Sequence, residues 1–191
     1  MALIKRISNY FYSVSTGWVA LAALVVFTLF MIFVLPQQAK KADAYSGGRT
    51  PDTSYIYTAD DLYQMAQDYG ADGRAAYIRA RFTFDLVFPL VYLFFLTATV
   101  SWSLGRTLPE RSPWRLLNLI PLAGAIFDYL ENISASLVIA RYPATTPVVD
   151  ILAPIFTAIK WIFVDGSFVL LICALLFVLW IRFSKRTERG D

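Results

Sequence analysis

Apolar residues in this chain come in long uninterrupted blocks rather than at every second or every third to fourth position, the pattern of helices with apolar surroundings on all sides. Four blocks are long enough to cross a hydrocarbon core of ~30 Å, which takes about 20 residues of helix. The first covers about 17–35, carries no charge and is ended by Pro36. The second covers about 82–104 with Pro89 inside it, and the third about 116–140 with Pro121 inside it. Residues 148–183 are mostly apolar. As one helix they would measure roughly 54 Å at ~1.5 Å per residue, too long for the core. About 160–181 is therefore assigned as the crossing part, anchored by Trp180, Arg182, Lys185 and Arg186; the piece around Pro154 is a kinked extension, a re-entrant turn or an interfacial helix. The pattern predicts an all-α polytopic membrane protein, one domain over 1–191 with four transmembrane helices in one bundle. A cleaved secretory signal is the alternative for the first block, since Lys5 and Arg6 precede it and Ala42-Asp43-Ala44 follows it. Its apolar run exceeds the usual ~7–15-residue signal core, which favours an uncleaved anchor.

Residues 36–81 form the only large polar segment, starting as a Gly/Ser/Pro/Asp-rich loop. At Thr58-Ala-Asp-Asp61 a helix begins, with Thr58 as cap and the aspartates complementing the helix dipole. Leu62, Met65, Ala66 and Tyr69 recur on one face, and Gly70 stops it. A second amphipathic stretch follows from Asp72 to Arg81. Such helices lie on the membrane surface or over the bundle, with Tyr69 and Tyr77 as interfacial anchors.

Composition sharpens this reading. The chain is 58% apolar and 16% charged, against roughly 45–50% and about 25% in a soluble domain. It has no histidine, which removes His-ligated haem and zinc, Ser-His and Cys-His catalysis and histidine pH switching. The single cysteine, Cys173, allows no intrachain disulfide and reads as a buried, inert thiol. No cofactor motif, metal motif or nucleic-acid signature is present, and the net charge of +3 comes from basic residues at the ends of the apolar blocks. Lys5 and Arg6, then Arg106, Arg111 and Arg115, then Arg182, Lys185, Arg186 and Arg189 share one face of a four-span protein. The positive-inside rule puts both termini in the cytoplasm, against the vote of Lys40 and Lys41.

The third block contains what a bilayer should exclude, Asp128, Glu131 and Asn132 in mid-helix. An acid at the helix centre costs about 2.5–3.5 kcal/mol on insertion scales, so these groups need protein or water around them. Asn118, Pro121, Ala125, Asp128, Asn132 and Ser136 fall on one stripe flanked by Glu131, and Pro121 frees the carbonyl of Leu117. Asp85 pairs at i,i+4 with Arg81, and the fourth block adds Thr157, Lys160, Asp165 and Ser167. Counted from the loop side, Asp165 lies about 8 Å deep and Asp128 near the middle. The expectation is a polar pocket opening toward the first loop, with Arg74, Arg79 and Tyr77 at its mouth. Its ligand-binding set is Asp85, Asp128, Glu131, Asn132, Arg74 and Arg81, with Glu131 or Asp128 as general acid or base. The bland alternative is that these acids only clamp neighbouring helices through Lys160 or Arg81.

The strings Tyr69-Gly-Ala-Asp-Gly73-Arg74-Ala-Ala-Tyr77, Asp85-Leu-Val-Phe-Pro89 and Phe127-Asp-Tyr-Leu-Glu-Asn132 resemble a group of small bacterial four-helix integral membrane proteins. The resemblance covers roughly residues 60–140 and implies a multi-pass protein of the bacterial inner membrane, without implying an activity. The partners expected are the lipid bilayer and a lipid or small-molecule ligand, with no nucleic acid. Two other functions fit the same residues: a proton- or cation-handling transporter, needing a homo-oligomer for room, and an accessory subunit of a larger membrane complex. Carboxylates holding Mg²⁺ or Ca²⁺ are a variant of the enzyme reading whose spacing fits no metal motif.

Overall fold

The computed structural model describes residues 2–187. It is 86% helical, with no strand among the described residues. Four stretches are long and apolar enough to cross a membrane: Gly17–Ser46, Gly70–Thr107, Pro113–Arg141 and Val149–Ser184. The all-α polytopic reading holds. In chain order the helices are α1 (Ala2–Val14), α2 (Gly17–Leu29), α3 (Leu35–Ser46), α4 (Ala59–Asp68), α5 (Gly70–Arg81), α6 (Phe84–Thr107), α7 (Ile120–Arg141) and α8 (Val149–Thr187).

Helices α7 and α8 form the tightest pair. Gly124 allows it, since a Cβ there would stand 3.0 Å from Val164 Cγ2. Helix α6 packs on both, and α2 packs on the outer side of α6, where the Phe27 and Phe95 rings stack at 4.5 Å. Helices α4 and α5 cover one end of α7 and α8: Leu62, Met65, Tyr69 and Tyr77 are buried together with Val138, Ile139 and Ala153. Tyr69 and Tyr77 are thus core residues rather than interfacial anchors. Thr58 caps α4 as its sequence predicts, accepting from the Asp61 N–H at 3.2 Å while its own N–H donates to Asp61 Oδ2 at 2.9 Å. Gly70, at φ 63°, supplies the left-handed residue between α4 and α5.

Elsewhere the fold departs from the sequence reading. Pro36 does not end the first helix. A π-helical turn at Phe30–Val34 lets the Leu35 N–H bond to Phe30 O, five residues back, so that Pro36 falls in the first turn of α3 where its missing N–H is not needed. Pro121 likewise stands in the first turn of α7, after a 3-10 segment at Pro113–Leu119, and the Leu117 carbonyl accepts from the Ile120 N–H. Helix α8 is one continuous helix from Val149 with Pro154 inside it, so the piece around Pro154 is a helical extension rather than a re-entrant turn. Cys173 is exposed on the surface of the bundle rather than buried within it. Helix α1, not anticipated, packs on the far end of α6 and is held by Tyr12, whose hydroxyl donates to Arg115 O at 2.7 Å beneath the Arg115 guanidinium. Burial pushes that hydroxyl up to about 12, against the opposing pull of Arg115. The anchoring side chains of Lys185 and Arg186, and Arg189 altogether, lie outside the described residues.

Candidate functional site

The segment between α3 and α4 does not stay outside the bundle. It turns inward through a short 3-10 helix at Pro51–Thr53, where Thr50 N–H donates to Thr53 Oγ1. Its residues then meet successive turns of α8: the Tyr57 hydroxyl hydrogen-bonds Thr157 Oγ1 at 3.0 Å, and the Tyr55 ring lies 4.8 Å from that of Trp161. Asp52 reaches furthest. Its carboxylate ion-pairs with Arg81 and stands 3.9 Å from Lys160 Nζ.

Around Asp52 the bundle gathers two cations and three further carboxylates. Arg81, the last residue of α5, pairs with Asp52 and, at 2.9 Å, with Asp85 in the first turn of α6. A carboxylate also suits that helix N-terminus. Lys160 pairs with Glu131 and lies 4.0 Å from Asp128. Asp128 accepts from Tyr92 OH at 2.9 Å and from Asn132 Nδ2 at 3.2 Å. Arg81, Asp85, Asp128, Glu131, Asn132 and Lys160 are all buried. Taking charges out of water costs several kcal/mol per ion, recovered only through close pairing and hydrogen bonds. Beside these paired charges, three neutral buried atoms, Asn132 Oδ1, Ser136 Oγ and Tyr77 OH, have no hydrogen-bond partner among the described residues.

One face of this cluster borders a cavity of about 930 Å³ between α2, α3, the start of α6 and α8. Asp52, Arg81, Asp85, Asp128 and Lys160 form its charged wall; Phe27, Met31, Phe88 and Phe168 form an apolar one, and exposed Lys41 and Arg79 stand on its border. Helix α2 packs on α6 and scarcely touches α8, which it meets through the Phe27 and Phe168 rings at 6.1 Å.

The structure thus brings Arg81, Asp85 and Asp128 onto one wall. Glu131 and Asn132 belong to the cluster but lie behind that wall, Glu131 being 0% exposed under Lys160. Arg74 is not at the mouth. Its Nη1 donates to Ala66 O at 2.9 Å and its guanidinium lies 5.1 Å over the Tyr142 ring, closing the end of α4, where a cation meets free carbonyls. Tyr77 is buried beneath Arg81, its ring 4.7 Å from the guanidinium. Asp165 faces outward, away from the cluster. Asn118, at the other end of the predicted stripe, bonds with Ser8 and Ser101 instead. Between that trio and the charged cluster lies an apolar layer that includes Leu96, Val100, Ala125 and Leu171. Sequence reasoning missed Asp52 and Trp161. Thr50-Pro51 carries a helix-start signal, but nothing in the sequence gives the depth of that turn.

Among the described residues no group of three or more Asp, Glu or Cys is arranged to hold a metal ion. Comparisons with family models, curated proteins and solved structures found no match to this chain. The site is therefore read from its own geometry, in a chain whose four apolar helices are compatible with an integral membrane protein.

Proposed function

We propose that the chain binds a lipid-like amphiphile in the cavity between α2, α6 and α8. The observation that carries this reading is the division of one cavity of about 930 Å³ into a charged wall at Arg81, Asp85, Asp128 and Lys160 and an aromatic wall at Phe27, Phe88 and Phe168. A ligand with a hydrogen-bonding headgroup and an apolar tail satisfies both. The loosely closed seam between α2 and α8 gives the tail a route from the surrounding lipid. Asp85 and Asp128 accept from hydroxyl or ammonium donors of the head, while Arg81 and Lys160, already paired with carboxylates, hold those acids at the wall. Should a reaction follow binding, Asp128 is the acid–base candidate, because it lines the cavity; Glu131 acts through Lys160 as a positioning residue. A transport reading is disfavoured by the apolar layer at Leu96, Val100, Ala125 and Leu171, which interrupts any polar path through the bundle. The flanking Lys and Arg residues support both termini on the cytoplasmic face of the membrane.

Native mass spectrometry of protein gently extracted from its membranes tests the binding. Wild type should carry an adduct of defined mass. Met31→Trp, which fills the tail region, should lose it, and Asp128→Asn should weaken it, with folded protein recovered in both cases. Absence of an adduct in wild type, or equal retention in both variants, overturns the proposal.

A further inference from the structure

The turn that carries Asp52 lies against the bundle without being woven into it. Among the described residues, every hydrogen bond of its main chain over 50–57 closes within the segment. Thr50 N–H donates to Thr53 Oγ1, the Thr53 hydroxyl and N–H donate to Thr50 O, and Ser54 Oγ donates to Thr50 O at 2.9 Å. The two ends are fixed: Arg49 O accepts from Tyr69 OH at 2.8 Å, and Thr58 is held in the capping box of α4. Between these anchors stands a self-bonded unit, fastened to the helices by side chains alone. Segments built this way open locally while the rest of a fold stays closed.

The polar fastenings are Asp52 and Tyr57, and each group they meet keeps another partner in the bundle. Arg81 retains Asp85, at 2.9 Å, Lys160 retains Glu131, and Thr157 donates its own hydroxyl to Ala153 O at 3.0 Å. Departure of the turn therefore strands no cation and no hydroxyl on the helices. Asp52 is also the acid of the cluster nearest to water, its side chain 23% exposed against 9% for Asp85 and 0% for Glu131. Without it three carboxylates surround the two cations instead of four, which eases like-charge repulsion. Against release stand the buried Pro51 and Tyr57 and the contact of the Tyr55 ring with Trp161, so the closed position is the resting one.

We propose that residues 50–57 form a lid on the loop side of the cavity, latched by Asp52, Tyr55 and Tyr57 and opening as one body. Thr50, Asp52, Thr53 and Tyr55 line the cavity, while Ile56, 88% exposed, faces away from it. Lifting the turn takes Asp52 off Arg81 and Lys160 and bares the charged wall to water. The cavity then has two doors of different chemistry: the seam between α2 and α8 admits apolar chains from lipid, and the lid admits charged solutes from water. The inference holds whatever the cavity binds.

Thiol labelling in native membranes decides it. In a Cys173→Ala background, V164C places one small thiol on the cavity lining, at a position 8% exposed in the native chain. The probe is a sulfonate-bearing methanethiosulfonate, whose charge bars it from the lipid route. Labelling should be far slower than at K41C, an exposed site on the cavity border. Tyr57→Phe, which removes the bond to Thr157, should speed labelling of V164C about fivefold, and Tyr55→Ala should speed it as well. Tyr12→Phe, which removes a comparable bond at the other end of the bundle, should leave the rate unchanged. Labelling of V164C as fast as K41C, no acceleration by Tyr57→Phe, or equal acceleration by Tyr12→Phe each overturns the proposal. Should V164C fail to fold, F88C on the same lining gives the same readings.

Discussion

The two ends of the bundle bury polar groups in opposite ways. At the α1 end the groups are neutral and their hydrogen bonds close on one another: Asn118 Nδ2 donates to Ser8 O and Ser101 Oγ, each at 3.1 Å, and Asn118 Oδ1 accepts from Ser8 Oγ at 2.8 Å. At the α4–α5 end, four carboxylates surround two cations, an amide oxygen and a phenol are left without partners, and one side of the cluster borders a large cavity. Helix α6 supplies both, Ser101 to the neutral network and Asp85 to the charged cluster, while Asn118 stands in the 3-10 segment that leads into α7. A closed neutral network stiffens a helix junction and asks for nothing more. An open charged one holds unused binding capacity, and that difference, rather than burial alone, marks the second as the site.

The sharpest test of the contrast is removal of its hub. Lys160→Met leaves Glu131 and Asp128 buried without their cation and should cost about 3–5 kcal/mol in chemical unfolding in micelles. Adding Glu131→Gln should restore more than half of the loss. A cost below about 1 kcal/mol would mean that water already serves these acids. At the other end, Asn118→Ala should cost about 1–3 kcal/mol by orphaning Ser8 and Ser101, yet leave the bound adduct unchanged. Loss of the adduct would make the two ends one unit. Between them, Gly124→Ala pushes a methyl against Val164 and should cost about 1–2 kcal/mol, with Val164→Ala as the compensating change.

The smallest effect belongs outside the spans. Hydrogen bonds from Thr58, and then from Arg49, hold the Asp61 carboxyl below the usual carboxylate range. Its contribution to the start of α4 is complete above the ordinary carboxylate pKa and is lost as pH falls through its own lower value. Thr58→Ala should flatten that acid limb and speed amide exchange at the start of α4 about fivefold, while leaving the rest of the bundle unaffected.

The spans were legible because an uninterrupted apolar block has one reading in a bilayer, and Asp128, Glu131 and Asn132 stood out for the same reason. Which way each acid points was less legible. Asp165 was grouped with the pocket by depth, but it lies five residues after Lys160, and five residues turn a helix by about 140° from where it began. Glu131 was a candidate for contact with ligand because it flanks the stripe; Lys160, arriving from α8, stands between it and the cavity. Arg74 looked available because free arginines near a pocket usually are, yet the end of α4 uses it. Pro36 was read as the end of a helix and Pro121 as a residue inside one, and the fold places each in the first turn of a helix instead. These are long-range facts, set by elements far away in sequence.

The inward turn between α3 and α4 imposes an order on biogenesis. Tyr57 and its partner Thr157 are 100 residues apart, and Asp52 waits for Lys160 across a similar distance. A ribosome feeding the chain into a membrane delivers this turn long before α8, so at that moment neither Lys160 nor Thr157 exists to receive it. The first three spans can insert as ordinary hairpins; the turn stays outside until the fourth arrives, then folds in as the closing step of assembly. A chain truncated before α8 should therefore leave residues 50–57 open to a protease that the finished protein excludes.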